Sequence, residues 1–226
     1  MGGSQKGVIS RGEKMTENIQ VFKQNSIRIK SDRGIIYVDP FKMDTAFNDA
    51  AFILITHDHY DHFSTEDIEK AACEDTVLVV PEKMAKKTAE AKDLVKKIET
   101  VKPGEQKTID GLELETVPAY NILKPFHPKS AGWVGYILLL GGKRIYIAGD
   151  TDATKEAKEV KCDIALIPIG GTYTMDARKA AEYVNEIQPE TVIPVHYGHM
   201  VGTPSDGDTF AGLVKEPVKV EFKIQF

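Results

Sequence analysis

The sequence predicts a layered α/β protein, with sheets packed face to face and helices outside. Three observations support that class. Apolar runs of strand length recur along most of the 226 residues, several with strict polar–apolar alternation. The order is strand-rich, then helix, then strand-rich, then helix. In both halves polar residues stand immediately after the apolar runs, at Asp39, His57 to His62, Asp150 and His196.

The elements follow in order. Ile19 and Val21, Ile27 and Ile29, and then Ile35 to Val38 mark three strands, separated by turns at Asn25-Ser26 and Ser31 to Gly34. They read as an antiparallel meander. Ala51 to Ile55 is a buried strand. Residues 65–73 read as a short helix with Ser64 or Thr65 as N-cap. Thr76 to Val80 is a strand closed by Pro81. Residues 82–96, rich in Lys, Ala and Glu, read as a solvated helix in one or two pieces. Ile98 to Val101 is a strand, and 108–109 with 111–117 form a hairpin around Asp110-Gly111. Residues 119–132 form a long irregular loop stiffened by two prolines, and long ordered loops tend to carry function. Trp133 to Leu140 and Lys143 to Ala148 are strands, with Trp133 in the core. Residues 154–160 form a short helix or turn. Asp163 to Pro168 and Thr191 to Val195 are buried strands around an amphipathic helix, Met175 to Ile187. Residues 206–215 form a helix, and Val218 to Phe226 alternates as a closing strand.

Composition narrows the class of partner. Hydrophobic residues make up 42% and charged residues 28%, as in soluble globular proteins. A net charge of −5 without a strong basic run argues against nucleic acid or an acidic membrane surface as partner. No apolar run approaches the ~20 residues of a membrane span. Cys73 and Cys162 stand apart, away from any histidine, so both read as structural thiols in a reducing, cytoplasmic setting. Residues 1–18 are expected to be a flexible segment, partly non-native at Met1 to Ser4, with Met15 as an alternative start. Residues 19–226 are expected to form a single domain.

The chemistry concentrates at Thr56-His57-Asp58-His59-Tyr60-Asp61-His62, which holds three of the six histidines. Imidazole and carboxylate suit Zn²⁺ and its first-row neighbours. His57 and His59 point the same way if the segment stays extended. Asp61 and His62 fall where the chain turns and face a second position. The run therefore offers two ligand pairs, and Asp150 has two oxygens with which to bridge. Two metals ~3.5–4 Å apart hold a hydroxide nucleophile and stabilise the anion it generates.

His57-x-His59-x-Asp61-His62, Gly149-Asp150-Thr151 and Pro194-Val195-His196-Tyr197-Gly198 resemble the metal motifs of the metallo-β-lactamase superfamily. More narrowly the chain is similar to its small metal-dependent hydrolases, near the ascorbate-phosphate lactonase and N-acyl-phosphatidylethanolamine phospholipase D groups. The likeness runs from about residue 19 to 226. It implies a four-layer αββα sandwich with the site at one edge of both sheets. It implies His57 and His59 on one metal, Asp61, His62 and His196 on the other, and Asp150 between them. Asp39 matches the strand-end aspartate that supports the histidine loop. One position departs from the pattern: where the superfamily supplies a third histidine to the first metal, this chain has Tyr120 and Asn121. His127 is the expected replacement, with the Asn121 oxygen as the alternative.

The expected function is hydrolysis of a small ester, lactone or phosphodiester, of anionic character if Lys124 and Lys129 attract it, by a metal-bound hydroxide. Two divalent ions are expected, with Zn²⁺ the first choice and Mn²⁺, Ni²⁺ or Fe²⁺ as alternatives. Asp61, His199 as leaving-group acid and Tyr173 as oxyanion donor are the candidate catalytic groups. For His199 the competing reading is a surface histidine, and for Tyr173 a loop tyrosine packing on its own loop. Iron-dependent redox chemistry on the same fold, or metal-stabilised binding without catalysis, are the alternative functions. The redox reading is weakened because His59 stands where the related diiron reductases carry Glu.

Overall fold

The computed structural model describes residues 14–224 and 226. Of the expected flexible segment, residues 1–13 lie outside the described residues. Met15–Asn18 forms one 3-10 turn with Thr16 buried.

The chain builds one sheet and then the other. The first comprises β1 (Ile19–Val21), β2 (Ile27–Ser31), β3 (Gly34–Val38), β4 (Ala50–Leu54), β5 (Ala72–Pro81) and β6 (Lys97–Val101), ordered spatially as in sequence. The second comprises β7 (Gln106–Ile109), β8 (Leu112–Pro118), β9 (Val134–Leu140), β10 (Lys143–Ile147), β11 (Ile164–Pro168), β12 (Thr191–Val195) and β13 (Lys219–Val220), again in sequential order. Each sheet begins antiparallel and ends parallel: β3 to β6 run parallel, as do β10 to β13. Parallel runs place several strand carboxyl ends on one edge, where open sheets bind ligands.

Period-two alternation sorts the side chains of the first sheet. Ile36, Val38, Phe52, Leu54, Val77 and Val79 face the second sheet in the main core. Tyr37, Ile53, Leu78 and Val80 face outward into a smaller core with Phe63 and Ile68. Strands buried on both faces read as continuous apolar runs. Helix α1 (Thr65–Ala71) covers that outer face, while α2 (Lys155–Lys158), α3 (Ala177–Ile187) and α4 (Ser205–Leu213) belong to the other side. On α3, Ala177, Ala180, Ala181, Val184 and Ile187 are buried on one stripe. The layers are helix, sheet, sheet, helix, as the αββα expectation states.

Three expectations change. Residues 82–96 form two 3-10 segments, Glu82–Met84 and Lys87–Ala91, in place of a helix. Neither has a capping side chain, and buried Met84, Thr88 and Ala91 tie them down, so tertiary packing overrides helix propensity. The closing strand pairs only at Lys219 and Val220. Beyond it the tail leaves the sheet, and the Phe226 ring packs on Tyr197, centroids 5.4 Å apart. Trp133 precedes β9 and is half-buried beside the histidines.

The two sheets are joined directly beneath the histidine loop. Tyr136 in β9, fully buried, donates through its hydroxyl to the Ile55 carbonyl at 2.8 Å. The Val134 amide donates to the Thr56 carbonyl at 3.1 Å. Tyr136→Phe should therefore lower unfolding free energy by about 1 kcal/mol, read as a reduced urea midpoint with unchanged slope.

Candidate metal centre

Every side chain of the centre comes from the segment following a strand, or from the loop after β8. Asp39 follows β3 and is fully buried. Its carboxylate accepts from the Thr56 amide at 2.8 Å, the Thr56 hydroxyl at 2.6 Å, the Asn25 amide at 2.7 Å and His62 Nδ1 at 2.7 Å. Ser64 caps α1, accepting from the Asp67 amide, and so fixes where the histidine loop ends.

Three histidines have their outer nitrogen committed. His62 Nδ1 faces a carboxylate, which only accepts, so Nδ1 carries the proton. The Thr56 hydroxyl donates to Asp39, so its lone pair accepts from His57 Nδ1 at 3.0 Å. Asn121 Nδ2 donates to the Tyr173 carbonyl at 3.0 Å, which turns Asn121 Oδ1 toward His127 Nδ1, also at 3.0 Å. In each ring Nε2 is the nitrogen left facing inward, able to bind a cation once it carries no proton.

Those nitrogens converge. His62 and His196 bring their Nε2 atoms to 3.1 Å, and His57 Nε2 lies 3.1 Å from His59 Nδ1. Asp150, after β10, points its oxygens among them: Oδ1 lies 3.5 Å from His62 Nε2 and 3.3 Å from His196 Nε2, and Oδ2 lies 3.4 Å from His127 Nε2. Asp61 Oδ2 is 3.3 Å from His196 Nε2. Three groups have donor atoms within 4.8 Å of one another: His57, His59 and His127; His57, His62 and Asp150; Asp61, His62 and His196. His127 Nε2 and Asp150 Oδ1 are buried with no hydrogen-bond partner among the described residues. Imidazole nitrogens and carboxylate oxygens gathered this closely suit a cation, and N/O donor sets of this kind suit Zn²⁺.

Electrostatics point the same way. Burial pushes the His57 imidazole well below the usual histidine range, and His62 adds to that push. Burial also opposes charge on His62, yet Asp150, Asp39 and Asp61 outweigh it and raise His62 to about 9. Burial opposes charge on Asp61, but His196 and His62 draw it down to about 2. Asp150 is likewise held well below the carboxylate range, because His196, His62 and His127 outweigh its burial. The carboxylates demand positive charge among the rings, which a proton or a metal cation can supply.

Backbone strain accompanies the chemistry. Asp39 and His196 have φ of 46° and 57°, a region that costs non-glycine residues of order 1 kcal/mol or more. Gly170 after β11 has no room for a side chain: a Cβ there would stand 2.2 Å from the His196 carbonyl oxygen.

The remaining predicted residues divide. Tyr173 lies at the mouth of a cleft of about 390 Å³, also lined by Gln24, His59, Tyr60, Asp61, Phe126, Asp150, Met200 and Val201. Larger hollows beside Met15 and Ile122 touch none of the clustered histidines. His199 is exposed, its ring 5.5 Å from that of Phe226, and is not among the cleft-lining residues. Lys124 and Lys129 do not wait for an anion: Lys124 binds Asp152 and the Thr174 carbonyl, and Lys129 binds Glu156. Two residues escaped the sequence reading. Trp133 packs against the His57, His59 and His127 rings at centroid distances of 5.0, 4.9 and 5.3 Å. Gln24, fully buried with φ 56°, reaches Asp61 Oδ2 at 3.5 Å and His196 Nδ1 at 3.4 Å. Its place in a polar turn gave no sign of burial.

Comparison with known proteins agrees with this geometry. The family model of the β-lactamase superfamily domain matches residues 18–196. A metal-dependent hydrolase of Pyrococcus abyssi is 33% identical over 199 residues, spanning 82% of this chain and 87% of its own. A solved structure from Parabacteroides distasonis, assigned as a metal-dependent hydrolase, superposes with a TM-score of 0.80 at 32% identity, over 92% of this chain and 93% of its own. A metallo hydrolase of Ignicoccus hospitalis shares the fold at a TM-score of 0.70 and 23% identity, over 91% of this chain and 94% of its own. The chain belongs to the β-lactamase superfamily, among its metal-dependent hydrolases.

Proposed function

We propose that the protein hydrolyses a small ester, lactone or phosphodiester using two divalent ions, with Zn²⁺ the best match to the donors. The observation that carries this is the inward convergence of the His57, His62 and His127 Nε2 atoms on Asp150, each ring tethered through Nδ1. His57, His59 and His127 would hold one ion, Asp61, His62 and His196 the other, with Asp150 between them. Bound there, the ions supply Lewis acidity and ready deprotonation of water near neutral pH.

The chain's own groups do the positioning. Asp39 and Thr56 fix the tautomers and ring planes of His57 and His62, the role of outer-shell acceptors at metal sites. Asn121 does the same for His127, so it supports the replacement ligand in place of being one. Asp61 lines the cleft and keeps its charge at any working pH, which suits it to orient an attacking water. Tyr173 lines the rim of the same cleft, which supports it as the donor to a substrate oxygen. The acid role of His199 rests on its place in the loop that follows His196. Two free cysteines, with the Cys162 thiol pushed up to about 12 by burial, fit a reducing cytoplasm.

Three outcomes test this reading. Chelation should reduce hydrolysis of p-nitrophenyl acetate by roughly a hundredfold or more, restored by Zn²⁺. His127→Ala should lower bound zinc from about two ions per chain to about one, and Asn121→Ala should weaken that ion by roughly 10–100-fold, both read by native mass spectrometry and competition titration. The third is a pH profile. His62 sits near 9 in the metal-free fold, against an ordinary 6.5, so its proton stabilises that fold fully below 6.5 and the gain is lost as pH rises through 9. The melting temperature of chelated protein should therefore fall across that window, while zinc affinity rises as the proton leaves Nε2.

A further inference from the structure

We propose that the substrate is an uncharged carbonyl compound, an ester or lactone bearing an apolar acyl or aryl group, selected by Tyr60, Phe126, Tyr173 and Met200. This rests on the hydrolase reading above and narrows it. The cleft is polar where it meets the metal centre, at His59, Asp61, Asp150 and Gln24. Its rim is different. Tyr60 comes from the loop after β4, Phe126 from the loop after β8, Tyr173 from the loop after β11 and Met200 from the loop after β12. They are 64%, 42%, 39% and 40% exposed.

One exposed apolar side chain needs no explanation, but four from separate loops on one cleft mark a binding surface. They are also preset. The Phe126 and Tyr173 rings meet edge to face with centroids 4.8 Å apart, and the Tyr60 hydroxyl reaches Met200 Sδ at 3.8 Å. Walls already paired lose little freedom when a ligand arrives. The volume, about 390 Å³, accommodates a small group.

Charge decides between the substrate classes. Among the described residues no Lys or Arg lines this cleft. The lysines flanking His127 are committed to Asp152 and Glu156. Sites for phosphoryl groups ordinarily add Arg or Lys to their metals. A substrate carrying charge away from its reacting centre would meet aromatic rings and a thioether here.

The test uses zinc-loaded full-length protein and n-alkyl hydroxamic acids, from aceto- to octanohydroxamic acid, by calorimetry. The head group binds metal and the tail reports on the rim, so turnover is not required. Kd should fall by about tenfold or more from the two-carbon to the six-carbon acid. Phe126→Ser or Tyr60→Ser should flatten that slope; Tyr173→Phe, which keeps the ring, should retain it. In parallel, kcat/KM should favour p-nitrophenyl hexanoate over the acetate and over bis(p-nitrophenyl) phosphate.

A flat hydroxamate series, absence of any zinc-dependent binding, or preference for the phosphodiester overturns the inference. So does a Phe126→Ser variant that changes the sedimentation coefficient without changing the slope, since the rim would then be a surface between copies. A steep series without hydrolysis of any ester sinks the hydrolase reading and leaves the rim standing. A flat series with hydrolysis of all probes does the reverse.

Discussion

The Asp39 carboxylate is the group on which the site depends. It is fully buried, and it accepts from Thr56 twice, from Asn25 and from His62. Charge-assisted bonds contribute about 1.5–3 kcal/mol each, while burying a carboxylate costs several kcal/mol. Four such bonds offset that cost and hold the carboxylate in one orientation. Through Thr56 it orients His57, and directly it orients His62. One acceptor thereby fixes a ring in each half of the centre.

Fixing the rings would be useless if the two sheets slid past each other. The Tyr136 hydroxyl and the Val134 amide prevent that, binding Ile55 and Thr56 across the sandwich at the root of the histidine loop. The His196 amide donates to the Gln24 carbonyl at 2.9 Å, linking the end of β12 to the β1–β2 turn. The left-handed backbones at Asp39, Gln24 and His196 persist because these contacts over-determine them. Gly170, with no space for a Cβ, lets the ends of β11 and β12 approach.

The centre and its rim have opposite chemistry, and each is built by a different part of the same loops. Residues next to the strand ends are rigid, polar and buried: His57, Asp150 and His196. Residues a few positions further out are apolar and exposed: Tyr60, Phe126 and Met200. Low-dielectric protein around the buried charges strengthens the electrostatic interactions among them.

Much of this was legible before folding. Apolar runs, turn dipeptides and strand-end polar residues specify the strands and the layered class, because side-chain period and turn chemistry are local. The density of histidine at 57 to 62 alone announces metal chemistry. Other features depend on contacts distant in sequence. Propensity favoured a helix at 82–96, yet docking of Met84, Thr88 and Ala91 drew it into 3-10 turns. Alternation to Phe226 favoured a long last strand, yet pairing stops at Val220. Sequence determined which ligand types this protein has and that they stand at strand ends. Only the tertiary structure decided that His127 packs with His57 and His59, that Asn121 holds its Nδ1, and that Gln24 and Trp133 join them. Those facts turn on burial and on which atom of a ring is already bonded, and neither is written in the order of residues.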